Sequence, residues 1–281
     1  DKGFHFGEWL EPDISSMDAM RKNMKEGAPE VATAYFYRSA ELLAEIAAIL
    51  GKREDAESFG DIAANARKAY RFSCTDQGKI TSLRQCEYVR PIAFGLLEPQ
   101  EAKEAADALD QLVEKNEYHL NTGFLSTPYL CSVLSDYGYV QTAYRLLLQD
   151  TCPGWLYAVK KGATSIWETW DGIRPDGTVH DSLNHYAYGA ISGWLFGGAA
   201  GIRLTDGRFT ICPKPDPVLQ YASAEWKSPL GTIKSAWEYK EDGIDFTITI
   251  PPNTKAAVIL PDGREETVGA GSYCYHVVSA G

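Results

Sequence analysis

No stretch of these 281 residues stays apolar for long enough to cross a bilayer. The longest uncharged run, Tyr186–Ile202, is interrupted by glycines and falls short of the roughly 20 apolar residues that a spanning helix needs. It reads instead as a buried helix and its exit loop. Basic residues are also scarce, 27 Lys and Arg against 38 Asp and Glu, for a net charge of −11. Such a surface repels phosphate, which excludes nucleic acid and anionic membrane as partners and leaves a neutral or small ligand. The six cysteines, Cys74, Cys86, Cys131, Cys152, Cys212 and Cys274, lie far apart with no C-x-x-C or His-paired spacing. That excludes structural zinc and implies neither a metal nor a cofactor. Cys131 falls in an apolar helical pattern and reads as a core thiol, whereas Cys212 and Cys274 lie in strand-like sequence and could face each other. The sequence begins at Asp1 without an initiator Met, a basic n-region or an apolar h-region. No export signal is legible, the compartment stays open, and so abrupt a start is expected of a fragment or processed product.

What is present begins with helical periodicity over residues 31 to about 200. Leu42, Ile46 and Ile49 form one stripe and Leu43, Ile46 and Leu50 its neighbour, with Gly51 as the C′ residue. Phe59, Ile62, Ala63 and Ala66 continue on a second helix from about Asp55. Pro99 suits the first turn of a helix bearing Ala102, Ala105, Ala106 and Leu109 and ending near Asn116. Thr127-Pro128 opens another that closes by Gly138, and Val140, Ala143, Tyr144 and Leu147 mark the next. Helices at about 86–97, kinked at Pro91, and at 186–198 bring the number to seven. Short turns between paired helices predict an inner layer wrapped by an outer one, for which seven is an incomplete set. After Gly201 the period changes to two, as in Ile244, Phe246, Ile248 and Ile250. Val258–Leu260, Pro261-Asp262-Gly263 and Tyr273–Val278 continue this strand-and-turn pattern.

The chemistry concentrates in Gly162–Asp171, where Glu168 lies between Trp167 and Trp170 with Asp171 one helical turn on. Indoles beside a carboxyl tune its proton affinity and offer flat faces to a sugar ring, the setting of a glycosidase base. Taken alone, W-E-x-W also describes two core aromatics on a short helix with an ordinary acid on its solvent side. Three further stretches gather aromatic and polar residues where loops meet helix ends: Gly3–Leu10, Asn121–Leu130 and Ser182–Ala190.

In this order the four stretches resemble the C-terminal half of bacterial α-L-rhamnosidases, the inverting enzymes of glycoside hydrolase family 78. Ala224–Trp237 and Ile250–Ala256 resemble that family's C-terminal β-sandwich. The resemblance implies an α-then-β chain: a partial (α/α)6 toroid over 1–200, then a small antiparallel β-sandwich over 201–281. It maps the general base onto Glu168, the sugar-binding histidine onto His185 and the stacking tryptophan of a Gly-Asp-Trp motif onto Trp9. The acid before that tryptophan is here Glu8, one methylene longer. The family's general acid belongs to an Arg-Asp-Glu motif that these residues lack. The missing helices and the missing acid agree with each other.

An inverting glycosidase sets two carboxyls about 6.5–9.5 Å apart across the sugar, one protonating the leaving oxygen and the other activating water. Glu168 would be that base, with Trp9, Trp167 and Trp170 as apolar walls against the deoxy sugar and His185 as a directed hydrogen bond. For Asp171, followed by Gly172, a turn-forming role competes with a substrate contact. The implied ligand is an α-L-rhamnoside, and the open ring implies its missing N-terminal half or a second copy as partner. Two alternatives stand beside this reading. One is a glycoside phosphorylase, which would recruit Lys160, Lys161, Arg174, His180 and His185 around phosphate. The other is a fragment that binds sugar without catalysis.

Overall fold

The computed structural model describes residues 4–12, 16–205 and 207–278. Its residues divide into two compact units, Asp1–Tyr188 and Gly189–Gly281. The first is helical: α1 Ser16–Glu26, α2 Pro29–Ile49, α3 Arg53–Cys74, α4 Gln85–Ala93, α5 Pro99–Lys115, α6 Thr127–Asp136, α7 Val140–Leu147 and α8 Trp155–Lys160. Prolines set three starts, at α2, α5 and α6, where the absent N–H costs nothing. At α5, Glu98 and Glu101 add a reciprocal capping box. Helices α2 and α3 pack through Ala34, Tyr37 and Ala40 against Ala63, Ala66 and Tyr70.

Counting α9 below, the described residues hold nine helices, not seven. The two missed were α1, which is mostly charged and polar, and α8, whose six residues are too short to show a period. Helix α4 stops at Ala93 rather than 97. Pro91 lies inside it, and Phe94 and Leu96 close its end by donating to the carbonyls of Arg90 and Pro91. The α2 stripes mark a true helix, yet α2 buries Ala34, Tyr37, Ala40 and Ala47. Leu42, Leu43, Ile46, Ile49 and Leu50 stay exposed, an apolar face left open within this chain.

Where the chain passes from the first unit into the second, the predicted single helix at 186–198 breaks into three kinds of turn. A 3-10 turn, Ala187–Ala190, leads into α9, Ile191–Trp194, and then a π turn, Leu195–Ala199. Gly189, Gly193, Gly197 and Gly198 give that stretch little intrinsic preference for one regular helix. Gly201 then turns the chain at φ 79°, where a Cβ would lie 2.1 Å from Pro213 N, so only glycine fits.

Two four-stranded sheets follow. One has the order β1 Ile202–Thr205, β2 Arg208–Ile211, β6 Ala256–Ile259, β7 Glu265–Val268. The other runs β3 Tyr221–Ser228, β4 Gly231–Tyr239, β5 Gly243–Ile250, β8 Gly271–Val278. All ladders are antiparallel except β2 with β6, which is parallel with Phe209 opposite Ala256. Alternating residues of both sheets, among them Phe209, Ile233, Trp237, Phe246, Ile248 and Val258, form one core. Cys212 and Cys274 do not meet: Cys274 is exposed on β8 of one sheet, Cys212 follows β2 of the other, and both are free thiols. Cys131 is buried in α6.

Candidate active site

Residues 161–186 contain no helix, so Asp171 does not follow Glu168 by a helical turn. The segment is an irregular hairpin. Its legs are joined by His185 N to Ile166 O (2.8 Å), Glu168 N to Ser182 O (2.8 Å) and His180 N to Gly172 O (3.1 Å). It reverses at Pro175-Asp176-Gly177, where Arg174 N donates to Thr178 O and Gly177 N to Arg174 O. The proline and the Asp-Gly pair favour a tight turn over a helix. Glu168 and His185 thereby sit on facing legs. The Glu168 side chain is partly exposed; its Oε2 accepts the Ser182 N–H at 3.0 Å and its Oε1 has no partner among the described residues.

Trp167 and Trp170 brace this hairpin from inside. They are 4% and 6% exposed. Trp170 stacks on Tyr188 (3.8 Å between ring centres) and meets the edge of Trp155, while Trp167 meets the edge of Tyr157. Their faces are thus taken by protein, and they support the site rather than forming an open wall. The Trp170 indole donates to Thr122 O at 3.3 Å, and Tyr188 donates from its hydroxyl to Leu10 O at 2.7 Å. Open aromatic surface comes instead from Tyr186, 86% exposed, and from half-buried Trp9, set against the edge of Phe6.

The imidazole of His185 is sandwiched between Phe124 (4.8 Å, 25°) and Tyr186 (5.1 Å, 18°). Its Nδ1 accepts the Ala187 N–H at 3.3 Å. The neutral ring therefore carries its proton on Nε2 and presents that N–H as a donor. Phe124 N donates to Trp9 O at 2.9 Å. Gly123 lies so close that a Cβ there would be 2.1 Å from the same carbonyl. The described parts of the four stretches therefore touch one another, through contacts that all fall within Asp1–Tyr188.

Glu8 is placed differently. Its side chain is fully buried, and its Oε1 accepts Gly123 N (2.8 Å) and Ser126 N (3.0 Å). Its Oε2 accepts Ser126 Oγ (2.9 Å) and pairs with Arg90 Nη1. Neither oxygen is free for a sugar. Burial raises the proton affinity of this carboxyl, and the Arg90 charge and Ser126 donors oppose that rise. Arg90, also fully buried, pairs through Nη2 and Nε with Glu30 and donates from Nη1 to Ser126 Oγ at 2.7 Å. Glu30 in turn accepts from Tyr70 at 2.9 Å. The sequence reading missed this network, although Arg90 lies one helical turn from Cys86 on an otherwise apolar face. A charge on an apolar face implies a buried partner.

Asp171 is partly exposed and engaged in the turn, 3.2 Å from Arg174 and 3.0 Å from His180, which also pairs with Asp181 at 2.7 Å. The cations that a phosphate would recruit are committed elsewhere: Lys160 to Asp150, Arg174 to Asp171, and Lys161 over the Tyr157 ring. Among the described residues no group of three or more His, Cys, Asp or Glu is gathered as a metal would need, and no helix could cross a membrane.

Residues 1–198 match the family model of the bacterial alpha-L-rhamnosidase 6 hairpin glycosidase domain, and 206–274 that of the bacterial alpha-L-rhamnosidase C-terminal domain. An alpha-L-rhamnosidase of Streptomyces avermitilis is 37% identical over 273 residues, covering 94% of this chain and 25% of that protein. One from Formosa agariphila is 33% identical over 276 residues, covering 94% and 29%. The crystal structure of the Streptomyces avermitilis alpha-L-rhamnosidase complexed with L-rhamnose superposes with a TM-score of 0.86 at 35% identity, over 97% of this chain and 28% of that one. The native enzyme from Aspergillus terreus gives 0.91 at 31%, over 99% and 34%. The chain thus spans about a quarter of the length of the curated relatives it matches.

Proposed function

Because this chain belongs to the bacterial α-L-rhamnosidase six-hairpin glycosidase family, we propose that it supplies the general base and one sugar-binding wall of an enzyme that hydrolyses α-L-rhamnosides with inversion. Glu168 takes the proton of the attacking water. The observation that carries this reading is that Glu168, with an open Oε1, and His185, whose Nδ1 accepts the Ala187 N–H and leaves Nε2 as the donor, lie on the two facing legs of one hairpin. Proton transfer by a base so placed contributes about 10²–10⁴-fold to rate. Trp9 gives the apolar face for the C6 methyl side of the sugar, while Trp167 and Trp170 hold the hairpin, and Asp171 shapes its turn through Arg174 and His180.

The sequence contains no Arg-Asp-Glu, so the acid comes from the rest of the full-length protein, as do the helices that cover the exposed face of α2. The chain alone is accordingly inert towards disaccharide rhamnosides, whose leaving groups need protonation, and gains activity when the remainder is added in trans. Proton NMR of the full-length enzyme acting on an α-L-rhamnoside tests the assignment directly. Inversion shows as β-L-rhamnose in the first minutes, before mutarotation, and early α-L-rhamnose overturns the base role of Glu168. Rapid disaccharide hydrolysis by the 281-residue chain would instead place an acid within it.

A further inference from the structure

We infer that Arg90 is a positioning residue for the sugar-binding wall, holding the Trp9 and Phe124 segments together through Glu8 and thereby fixing His185; the inference rests on the proposed function. A buried ion pair is a poor device for stability alone, since well-packed apolar residues usually serve as well or better. What the Arg90 guanidinium does is geometric. From α4 it reaches α2 at Glu30, the 7–10 segment at Glu8 and the 123–126 loop at Ser126. Both oxygens of Glu8 are then turned so that the Gly123 and Ser126 N–H groups close on one of them.

The consequences run outward by contact. With Gly123 and Ser126 held, Phe124 N meets Trp9 O at 2.9 Å, and the Phe124 ring becomes the floor on which His185 lies. On the other side of Trp9, Leu10 is held at φ 54°, a left-handed conformation that a branched residue avoids. Its carbonyl is caught by the Tyr188 hydroxyl at 2.7 Å. A segment in so sparse a conformation persists only where its surroundings fix it from several sides, and the Arg90–Glu8 pair is the anchor two residues away. Glu168 is held locally within the hairpin, its side chain by the Ser182 N–H and its own N–H by Ser182 O. Loosening Arg90 should therefore weaken sugar binding before it slows the chemical step.

The test uses the full-length enzyme with p-nitrophenyl α-L-rhamnoside, L-rhamnose calorimetry, thermal melting and amide exchange. Arg90→Lys keeps the charge and loses the fork, and the hydrogen bonds lost are expected to raise KM and the L-rhamnose Kd by about 10-fold. Turnover number stays within about 3-fold, because the interaction serves binding in ground and transition states alike. His185→Ala, worth about 10-fold or more in Kd in the parent, adds less than about 2-fold on the Arg90→Lys background, because both changes undo the same placement. A folded Arg90→Lys enzyme with unchanged KM and a full, additive His185 effect overturns the inference. Should Arg90 variants not fold, Ser126→Ala removes only the hydroxyl between Arg90 and Glu8; a KM raised about 3-fold supports positioning, and an unchanged KM overturns it. Exchange of the Phe124 amide separates this question from the functional one. If the parent neither binds L-rhamnose nor cleaves the rhamnoside, the proposed function fails, and Phe124 exchange about 10-fold faster in Arg90→Lys still supports the anchor while unchanged exchange rejects it.

Discussion

Two carboxylates on two parts of the helical unit show how environment divides labour between identical groups. Glu8 sits where no solvent reaches, with backbone donors from Gly123 and Ser126, the Ser126 hydroxyl and the Arg90 guanidinium all pointing at it. Every lone pair with room for a partner has one. Glu168 sits on the exposed hairpin with one backbone donor on Oε2. The first is a structural carboxylate whose removal strands a buried cation; the second has spare acceptor capacity, as the proposed base role requires. Both acids stand beside a tryptophan in the sequence, and that alone does not say which is which.

The comparison breaks most sharply at Glu168. Glu168→Gln keeps shape and the Ser182 contact while deleting basicity, so turnover in the full-length enzyme should drop by at least about 10²-fold with the melting temperature unchanged. Activity within a few-fold of the parent would move the base elsewhere. Arg90→Met should do the reverse. It leaves Glu8 and Glu30 without their cation, and breaking such a buried pair costs about 3–5 kcal/mol, read as a lower denaturant midpoint at unchanged m-value. If the midpoint hardly moves, the network contributes little to holding the helices together.

How far the sequence disclosed this arrangement depended on the reach of each signal. Local signals were legible: Pro99 and Asn116 bound α5 within a residue, and the alternation of Ile244 to Ile250 lies in β5. Motif resemblance pointed to Trp9, Glu168 and His185 as candidates, without the Phe124 and hairpin contacts that connect their segments. The hairpin was not. W-E-x-W has helical spacing, and only the Ser182 and His185 contacts 14 and 19 residues downstream draw it into an irregular ladder. The partners of Arg90 were illegible for the same reason, since Glu30, Glu8 and Ser126 lie 36 to 82 residues away. The outward face of α2 was illegible as a face, because periodicity finds a stripe but cannot tell which helix covers it.

Smaller effects sharpen the contrast at the binding wall. His185→Ala deletes the Nε2–H donor and Trp9→Ala an aromatic face, each expected to cost about 1–3 kcal/mol of L-rhamnose affinity. Titration calorimetry on the Glu168→Gln background isolates binding from turnover. If neither variant changes affinity, the sugar does not rest on this wall. Trp170→Phe, by comparison, should mainly lower stability, because Trp170 contributes its stack on Tyr188 and its bond to Thr122 O from a buried position.

The smallest effect concerns pH at the hairpin turn. Burial acts to lower the proton affinity of His180, but the Asp181 hydrogen bond and the Asp171 charge outweigh it and raise the value above the ordinary one, with Arg174 opposing. A raised folded-state value means that protonated His180 stabilises the hairpin fully below the unfolded value of about 6.5. That contribution is lost as pH rises through the higher folded value. Because Asp171 and Arg174 are substantially exposed, the gain is at most about 1 kcal/mol. Amide exchange at Gly177 and His180, followed from pH 5.5 to 8.5 and corrected for the intrinsic pH dependence, should show protection falling with pH in the parent and flat in His180→Gln. Protection that rises with pH in the parent, or an identical slope in the variant, would remove His180 from the device that links Asp171 to Asp181. The hairpin carrying Glu168 would then owe its shape to its backbone ladder alone.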